Sequence, residues 1–367
     1  MTILDTGVKY ARNVGSYTIG SGSISELPFL LDRRRALGQG YVVFFVDDFF
    51  KNNEALLGKL APASGDQVLF VSTIEEPTVQ SIDEFVSLLR SKNLSEPCAI
   101  VGVGGGIAMD TAKAVANLLT NPGSAASYQG WDLVTNPAVY KIAIPTISGT
   151  GAEATRTCVM TNKDSGLKLG MNSDHTVYDQ VILDPELTIT VPREQYFYTG
   201  MDAYIHCIES LSGFYRNPIG DAFSQQTIQL CREVFGIGDM MTAENRSKLM
   251  VASYLGGCAI ATSYVGLVHP LSAGLSVVLG YHHCVANCIA MRAVEEFYPE
   301  HFSEFWGFAE TQEVDIPTGV CTGLSDEKFD ALFNATVVHE KPLTNALGEG
   351  FRRILSKEKV VSLFQKM

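Results

Sequence analysis

Residues 41–46 read YVVFFV, an apolar run with no polar interruption. A strand of that kind has no face to give to water, so it needs a hydrophobic layer on each side. Residues 67–71, 99–103 and 141–145 are further strand-length runs, and helical patterns stand between them. The clearest covers 78–92, where Val79, Ile82, Phe85, Val86 and Leu89 recur at helical spacing behind Pro77-Thr78. Strands that alternate with helices pair through crossovers, which predicts a parallel sheet with helices on both faces.

The pattern changes near Pro192. Beyond it the spacing predicts long helices over 195–215, 218–235, 244–264 and 270–296, and convincing strands vanish. From Leu324 onward the chain is polar enough for surface helices. The expected organisation is an α/β domain over 1–190 and an all-helical domain over 191–367.

Composition narrows the function. With 46% hydrophobic and 18% charged residues, the chain reads as globular rather than disordered. A net charge of −13 argues against nucleic acid or an anionic membrane surface as partner. No uninterrupted apolar run is long enough for a membrane span, and the first ten residues lack a signal-peptide pattern. The cysteines form no Cys-x-x-Cys pair, so a reduced, cytoplasmic protein is expected. Cys284 and Cys288, four apart, read as packing thiols rather than ligands.

Two glycine-rich turns follow strand-like runs. Gly102-Val103-Gly104-Gly105-Gly106 leads into a helix, where a backbone without side chains can approach a phosphate and the helix N-terminus favours an anion. Pro145-Thr146-Ile147-Ser148-Gly149-Thr150-Gly151 is the second, and the two can close on one pyrophosphate. Asp47 ends the 41–46 run, where a carboxylate can bind an adenosine ribose and repel a 2′-phosphate; that favours NAD over NADP. Asp48 is an equal candidate by sequence.

In the second half, Asp202 and His206 form an i,i+4 pair on a helical pattern and can grip one ion. His269 and His283 stand in a Gly- and Ala-rich apolar stretch with almost no other charge. One carboxylate and three imidazoles suit Fe²⁺ or Zn²⁺, not Ca²⁺ or Mg²⁺. His282, His175, His301 and His339 read as outlying or surface histidines, and Arg156, Arg216 and Arg292 as members of structural ion pairs.

Together these pieces resemble the iron-containing (group III) alcohol dehydrogenase family over most of the chain. The likeness begins at Tyr17-Thr18-Ile19-Gly20-Ser21-Gly22 and runs through Gly104-Gly105-Gly106-x-x-x-Asp110-x-x-Lys113. It includes Pro145-Thr146-x-Ser148-Gly149-Thr150-Gly151-x-Glu153, Asp184-Pro185, Gly200-Met201-Asp202-Ala203-x-x-His206 and His283-Cys284-Val285-Ala286-Asn287. The resemblance implies a Rossmann-like dinucleotide-binding domain followed by a helical metal domain. Its metal ligands fall on Asp202, His206, His269 and His283. Its cofactor positions fall on Asp47, Gly104, Gly105, Gly106, Asp110, Thr146, Ser148 and Thr150, with Lys168 near the nicotinamide ribose.

Three positions depart from the family pattern. Ala273 stands where a further histidine is usual, Ala152 replaces a serine, and Cys284 replaces a glycine. Within the family the overall likeness is to enzymes acting on C8 of the sugar acid 3-deoxy-D-manno-octulosonate (Kdo). That implies an aldehyde product handed to a pyridoxal-phosphate aminotransferase in lipopolysaccharide biosynthesis, with a homodimer as the simplest assembly. A dehydrogenase of small alcohols is the nearer rival. A carbon–oxygen lyase of the dehydroquinate-synthase type is the further one; its glutamate and two histidines do not match Asp202 and His206.

Overall fold

The structure, a computed structural model, describes residues 10–38, 40–92 and 96–367. The chain divides into two compact units. One holds Arg12–Ile147 and Ala152–Thr190; the other holds Val191–Met367 together with Ser148–Gly151.

The first unit alternates strand and helix: β1 (Ser16–Ile19), α1 (Leu27–Gly38), β2 (Val42–Asp47), α2 (Glu54–Leu60), β3 (Gln67–Val71), α3 (Val79–Ser91), β4 (Ala99–Gly104) and α4 (Gly106–Thr120). Then come β5 (Gly130–Trp131), β6 (Lys141–Pro145), β7 (Thr157–Asn162), β8 (Leu167–Asn172) and β9 (Gln180–Leu183). Six strands form one parallel sheet in the order β1-β9-β6-β4-β2-β3. Residue alternation along β2 explains its uninterrupted apolar run. Val43 and Phe45 pack with Val79, Ile82, Val86 and Leu89 of α3. Val42, Phe44 and Val46 pack on the opposite face with Leu27 and Leu31 of α1 and Leu56 and Leu60 of α2. A helix layer covers each side, as a buried parallel strand requires.

Thr78 starts α3 with a capping box: its hydroxyl accepts from Ser81 N, and the Ser81 hydroxyl accepts from Thr78 N. The small second sheet, β5-β8-β7, was not evident from the sequence. Its hairpin strands β7 and β8 are only partly buried and carry polar residues, so they lack a clean apolar signal.

In the second unit no strand occurs among the described residues. It opens with α5 (Arg193–Ser212), α6 (Pro218–Phe235), α7 (Ala243–Ser263), α8 (Val268–Leu279) and α9 (His283–Ala290). Helix α5 is buried continuously from Tyr196 to Ser210 and packs against α6, α7 and α9. A helix enclosed in this way can hold charged groups only if they are paired or bind an ion.

The single helix expected over 270–296 is broken. Gly280 takes a left-handed conformation (φ 78°) and its N–H bonds the Ser276 carbonyl, which ends α8. A straight helix would separate His269 and His283 by about 21 Å along its axis. The break folds α9 back instead, and the two imidazole centroids lie 5.3 Å apart.

The segment Ser148–Gly151 lies directly on helix backbone. A Cβ at Gly149 (φ 139°) would fall 1.6 Å from the Thr199 carbonyl oxygen on α5. Gly151 (φ 61°) sits against Gly257 of α7, and its N–H donates to Ser253 Oγ at 3.3 Å. Among the described residues no single helix is long and apolar enough to cross a membrane. All eight cysteines are buried and none is in a disulfide.

Candidate metal centre and cofactor turns

Three helices build the cluster. Helix α5 supplies Asp202 and His206, one turn apart and both buried. His269 comes from the first turn of α8, and His283 opens α9. Asp202, His269 and His283 bring their ligand atoms within 4.8 Å of one another. His269 Nε2 is 3.5 Å from Asp202 Oδ1, and His283 Nε2 is 3.8 Å from Oδ2. His206 is the looser fourth member. Its Nε2 lies 3.5 Å from Asp202 Oδ1, and its ring stacks on His269 with centroids 4.8 Å apart.

Exposure rises around the cluster. Asp202 is 1% exposed and the His283 side chain 31%, so solvent reaches the group from the α9 side. Around the ligands stand residues to which the sequence reading gave no part in the site; Cys284 was expected to be a packing thiol. Asn287, one turn after His283, donates Nδ2 to Asp202 Oδ1 at 2.6 Å. The Cys284 thiol donates to Asp202 Oδ2 at 3.6 Å. Glu209 Oε2 meets His269 Nδ1 at 2.5 Å.

Burial alone would raise the Asp202 carboxyl, yet His206, His283 and His269 outweigh it and hold the group well below the usual carboxylate range. Burial pushes His206 down to about 4, so it is neutral near pH 7, the form that binds metal. Burial acts the same way on His269, but Glu209 and Asp202 override it and raise the group to about 9. A buried carboxylate faced by three imidazoles fits a divalent ion of the Fe²⁺ or Zn²⁺ kind. His206 Nδ1, the nitrogen opposite the one that faces Asp202, is buried with no hydrogen-bond partner.

The glycine turn after β4 works by absence of side chains. A Cβ at Gly104 (φ 149°) would come within 2.8 Å of Ala108 Cβ and 2.9 Å of Asp47 Cβ. Asp47 therefore lies against this turn, where its carboxylate accepts from Phe49 N (3.0 Å) and the Thr73 hydroxyl (3.4 Å), while burial raises its pKa. Gly105 caps α4 without a side chain, which leaves the first amides of α4, beginning at Gly106, open to an anion. Thr146 N bonds the Gly104 carbonyl at 3.0 Å and joins the turns after β4 and β6. Ser148 is buried with no hydrogen-bond partner for its hydroxyl, and Thr150 is half-buried.

Asp110 and Lys168 have protein partners too. Asp110 accepts from Val159 N at 2.9 Å and lies 3.8 Å from Lys113 Nζ; burial raises its carboxyl to about 6. Lys168, on β8, is buried and paired with Glu76 at 3.1 Å. These contacts tie α4 to β7 and β8 to the loop after β3.

Among the remaining candidates, Arg156 pairs with Asp132 and Asp174, and Arg216 with Asp221. Among the described residues Arg292 makes no ion pair: it donates to the carbonyls of Ile316 and Pro317 and stacks on Trp306. His301, expected at the surface, is half-buried edge-on to Tyr204. His282 is exposed.

The parallel sheet with its glycine turns and the helical unit with one carboxylate and three imidazoles are the arrangement expected of a metal-dependent dehydrogenase. The family model for iron-containing alcohol dehydrogenases matches residues 15–185, and that for the family's C-terminal region matches 196–313. The chain belongs to the iron-containing alcohol dehydrogenase family. It is 35% identical over 222 residues to a sulfoacetaldehyde reductase of Bilophila wadsworthia, covering 59% of this chain and 56% of that protein. It is 29% identical to an NAD-dependent methanol dehydrogenase of Bacillus methanolicus, over 76% of this chain and 73% of the relative. The crystal structure of a 1,3-propanediol oxidoreductase shares the fold: TM-score 0.82 at 22% identity, covering 98% of this chain and 99% of the other.

Proposed function

We propose that this chain is an NAD-dependent, metal-assisted dehydrogenase of a primary alcohol, with the C8 hydroxymethyl group of Kdo as substrate, a Kdo 8-oxidase activity. The observation that carries the reaction class is the convergence of Asp202, His269 and His283 with His206 beside them. These four residues would hold a divalent ion, whose contribution when bound is to acidify an alcohol oxygen. Asp47, the glycine turns after β4 and β6, and the Thr146, Ser148 and Thr150 side chains would hold NAD, with Asp110 and Lys168 as supports. NAD⁺, when bound, would accept the hydride from the substrate carbinol carbon; with the hydroxyl proton released to water, the products would be an aldehyde and NADH.

Ala273 bears on substrate size. It stands one turn after His269 on α8, on the same face, and is 9% exposed. The resembling family usually places histidine there. A methyl group in place of imidazole leaves volume beside His269 and removes a proton carrier, which suits a polyhydroxylated substrate whose own hydroxyls or water carry the proton. An aldehyde product is reactive in water, and transamination to an 8-amino sugar is the step that would consume it.

The test is NADH formation by protein loaded with Fe²⁺ or Zn²⁺ and given Kdo, methanol or 1,3-propanediol, with sulfoacetaldehyde and NADH run in the reverse direction. Kdo should show the highest kcat/KM. A preference for any of the small substrates would remove the Kdo assignment and leave the reaction class standing. NADH formation from none of them, with metal bound, would count against both.

A further inference from the structure

We infer that Glu209 is the residue that fixes which nitrogen of His269 faces a metal ion, and that it does so by spending both carboxylate oxygens on fixed N–H donors. The inference rests on the metal-site reading above.

Helix α8 begins without a side-chain cap of its own: its N-cap residue is Leu267. The unpaired amides of a first turn need acceptors. Tyr298 Oη accepts from Leu267 N at 3.2 Å, and Glu209 Oε1 accepts from Val268 N at 2.5 Å. The second oxygen, Oε2, meets His269 Nδ1 at 2.5 Å. Glu209 is 1% exposed and belongs to α5, one turn after His206. One helix thus carries two of the ligand candidates and the group that aims a third.

Two acceptors facing two N–H groups fix the arrangement that His269 takes when its ring is neutral, the form that binds metal. Nδ1 carries the hydrogen and donates it to Glu209, and the Nε2 lone pair points towards Asp202, 3.5 Å away. A carboxylate in this place holds ring orientation and tautomer and raises ligand basicity. Glu209 is a positioning residue, since it touches the ligand and not the reacting atoms.

The carboxylate chemistry makes an unusual prediction. Glutamine has the same shape but one acceptor and one donor group. Val268 N–H is fixed in the backbone and claims the oxygen, so the amide NH₂ of Glu209→Gln faces Nδ1–H donor to donor. Relief requires Nδ1 to lose its hydrogen to Nε2, which blocks metal binding there. Glu209→Ala removes the acceptor but admits water, which can accept from both groups. The isosteric change should therefore be the more harmful one. A purely structural role, in which glutamate only fills space and caps α8, predicts the opposite order.

The experiment measures Zn²⁺ affinity by chelator competition in wild type, Glu209→Ala and Glu209→Gln, with circular dichroism as the check on folding. Affinity should fall about tenfold to a hundredfold in Glu209→Gln and by less in Glu209→Ala. Equal affinity in Glu209→Gln and wild type, or a larger loss in Glu209→Ala, would overturn the inference. A wild type that binds no Zn²⁺ would instead refute the metal-site reading. Should either variant fail to fold, ¹⁵N NMR of the zinc-loaded wild type decides. A hydrogen on His269 Nδ1 and none on Nε2 is expected, and the reverse would overturn the proposal.

Discussion

In the turn after β4 and in Ser148–Gly151, backbone comes close to its surroundings because side chains are missing. In the cluster on α5, α8 and α9, four side chains come close because the backbone breaks. The first arrangement is written locally: Gly104 and Gly149 each have positive φ and a neighbour within 2.9 Å of any added Cβ. The second depends on a turn at Gly280 and on Glu209, sixty residues from the histidine it holds. Glycine turns are therefore intolerant of any side chain, whereas the cluster should tolerate changes of shape and fail on changes of hydrogen-bonding character.

The largest effect should come from Gly149→Ala. Its Cβ would collide with the Thr199 carbonyl, and its φ of 139° strains any L residue. A loss of about 3 kcal/mol or more is expected in urea unfolding. Gly58→Ala is the control: nothing lies within 4 Å of its Cβ, and α2 should gain about 0.5–1 kcal/mol from the better helix former. Similar results for the two would break the contrast on the glycine side.

A smaller effect tests the carboxylate beside the β4 turn. Wild type should prefer NAD(H), because the Asp47 carboxylate repels a 2′-phosphate. Asp47→Ser should shift the ratio of NADP(H) to NAD(H) affinity towards NADP(H) by about tenfold, the factor that about 1.4 kcal/mol makes. Fluorescence titration of both cofactors measures it. An unchanged ratio would mean that the ribose lies elsewhere.

The smallest effect concerns a partly exposed network in the helical unit. Burial alone would raise Glu304, but His301, Arg232 and Tyr204 lower it to about 2. Because the folded value lies below the ordinary 4.5, its stabilisation is present above that pH and is lost as pH falls towards about 2. Solvent screening limits it to about 1 kcal/mol. Glu304→Gln should cost that much at pH 7 and progressively less below 4.5, read from the Tm difference at each pH. A constant difference across the range would show that packing, not charge, is at work.

How much the sequence disclosed follows the same contrast. The buried strand β2, the helix α3 with its Thr78 start, and the glycine turns were legible because each signal is local. The run 270–296 reads as one helix because apolar residues continue through Gly280, and periodicity carries no information about a left-handed glycine inside it. Strands β7 and β8 escaped notice because they are half-buried and polar. Asp202, His206, His269 and His283 stood out as isolated polar residues in apolar surroundings, and the structure gathers them. Glu209 carried the same mark: an acid in the buried stretch of α5, three residues after His206. It was missed because a lone carboxylate says nothing about its partner until α8 is in place.

Asp202, His206, His269 and His283 are proposed to hold one divalent ion. The most direct measurement is the metal content of wild type, His269→Ala and His283→Ala after loading with Fe²⁺ and desalting, with circular dichroism recorded on the same samples. About one ion per chain is expected in the wild type, and almost none in either variant, with helical content unchanged. Full retention of iron in either folded variant would contradict the assignment of that histidine.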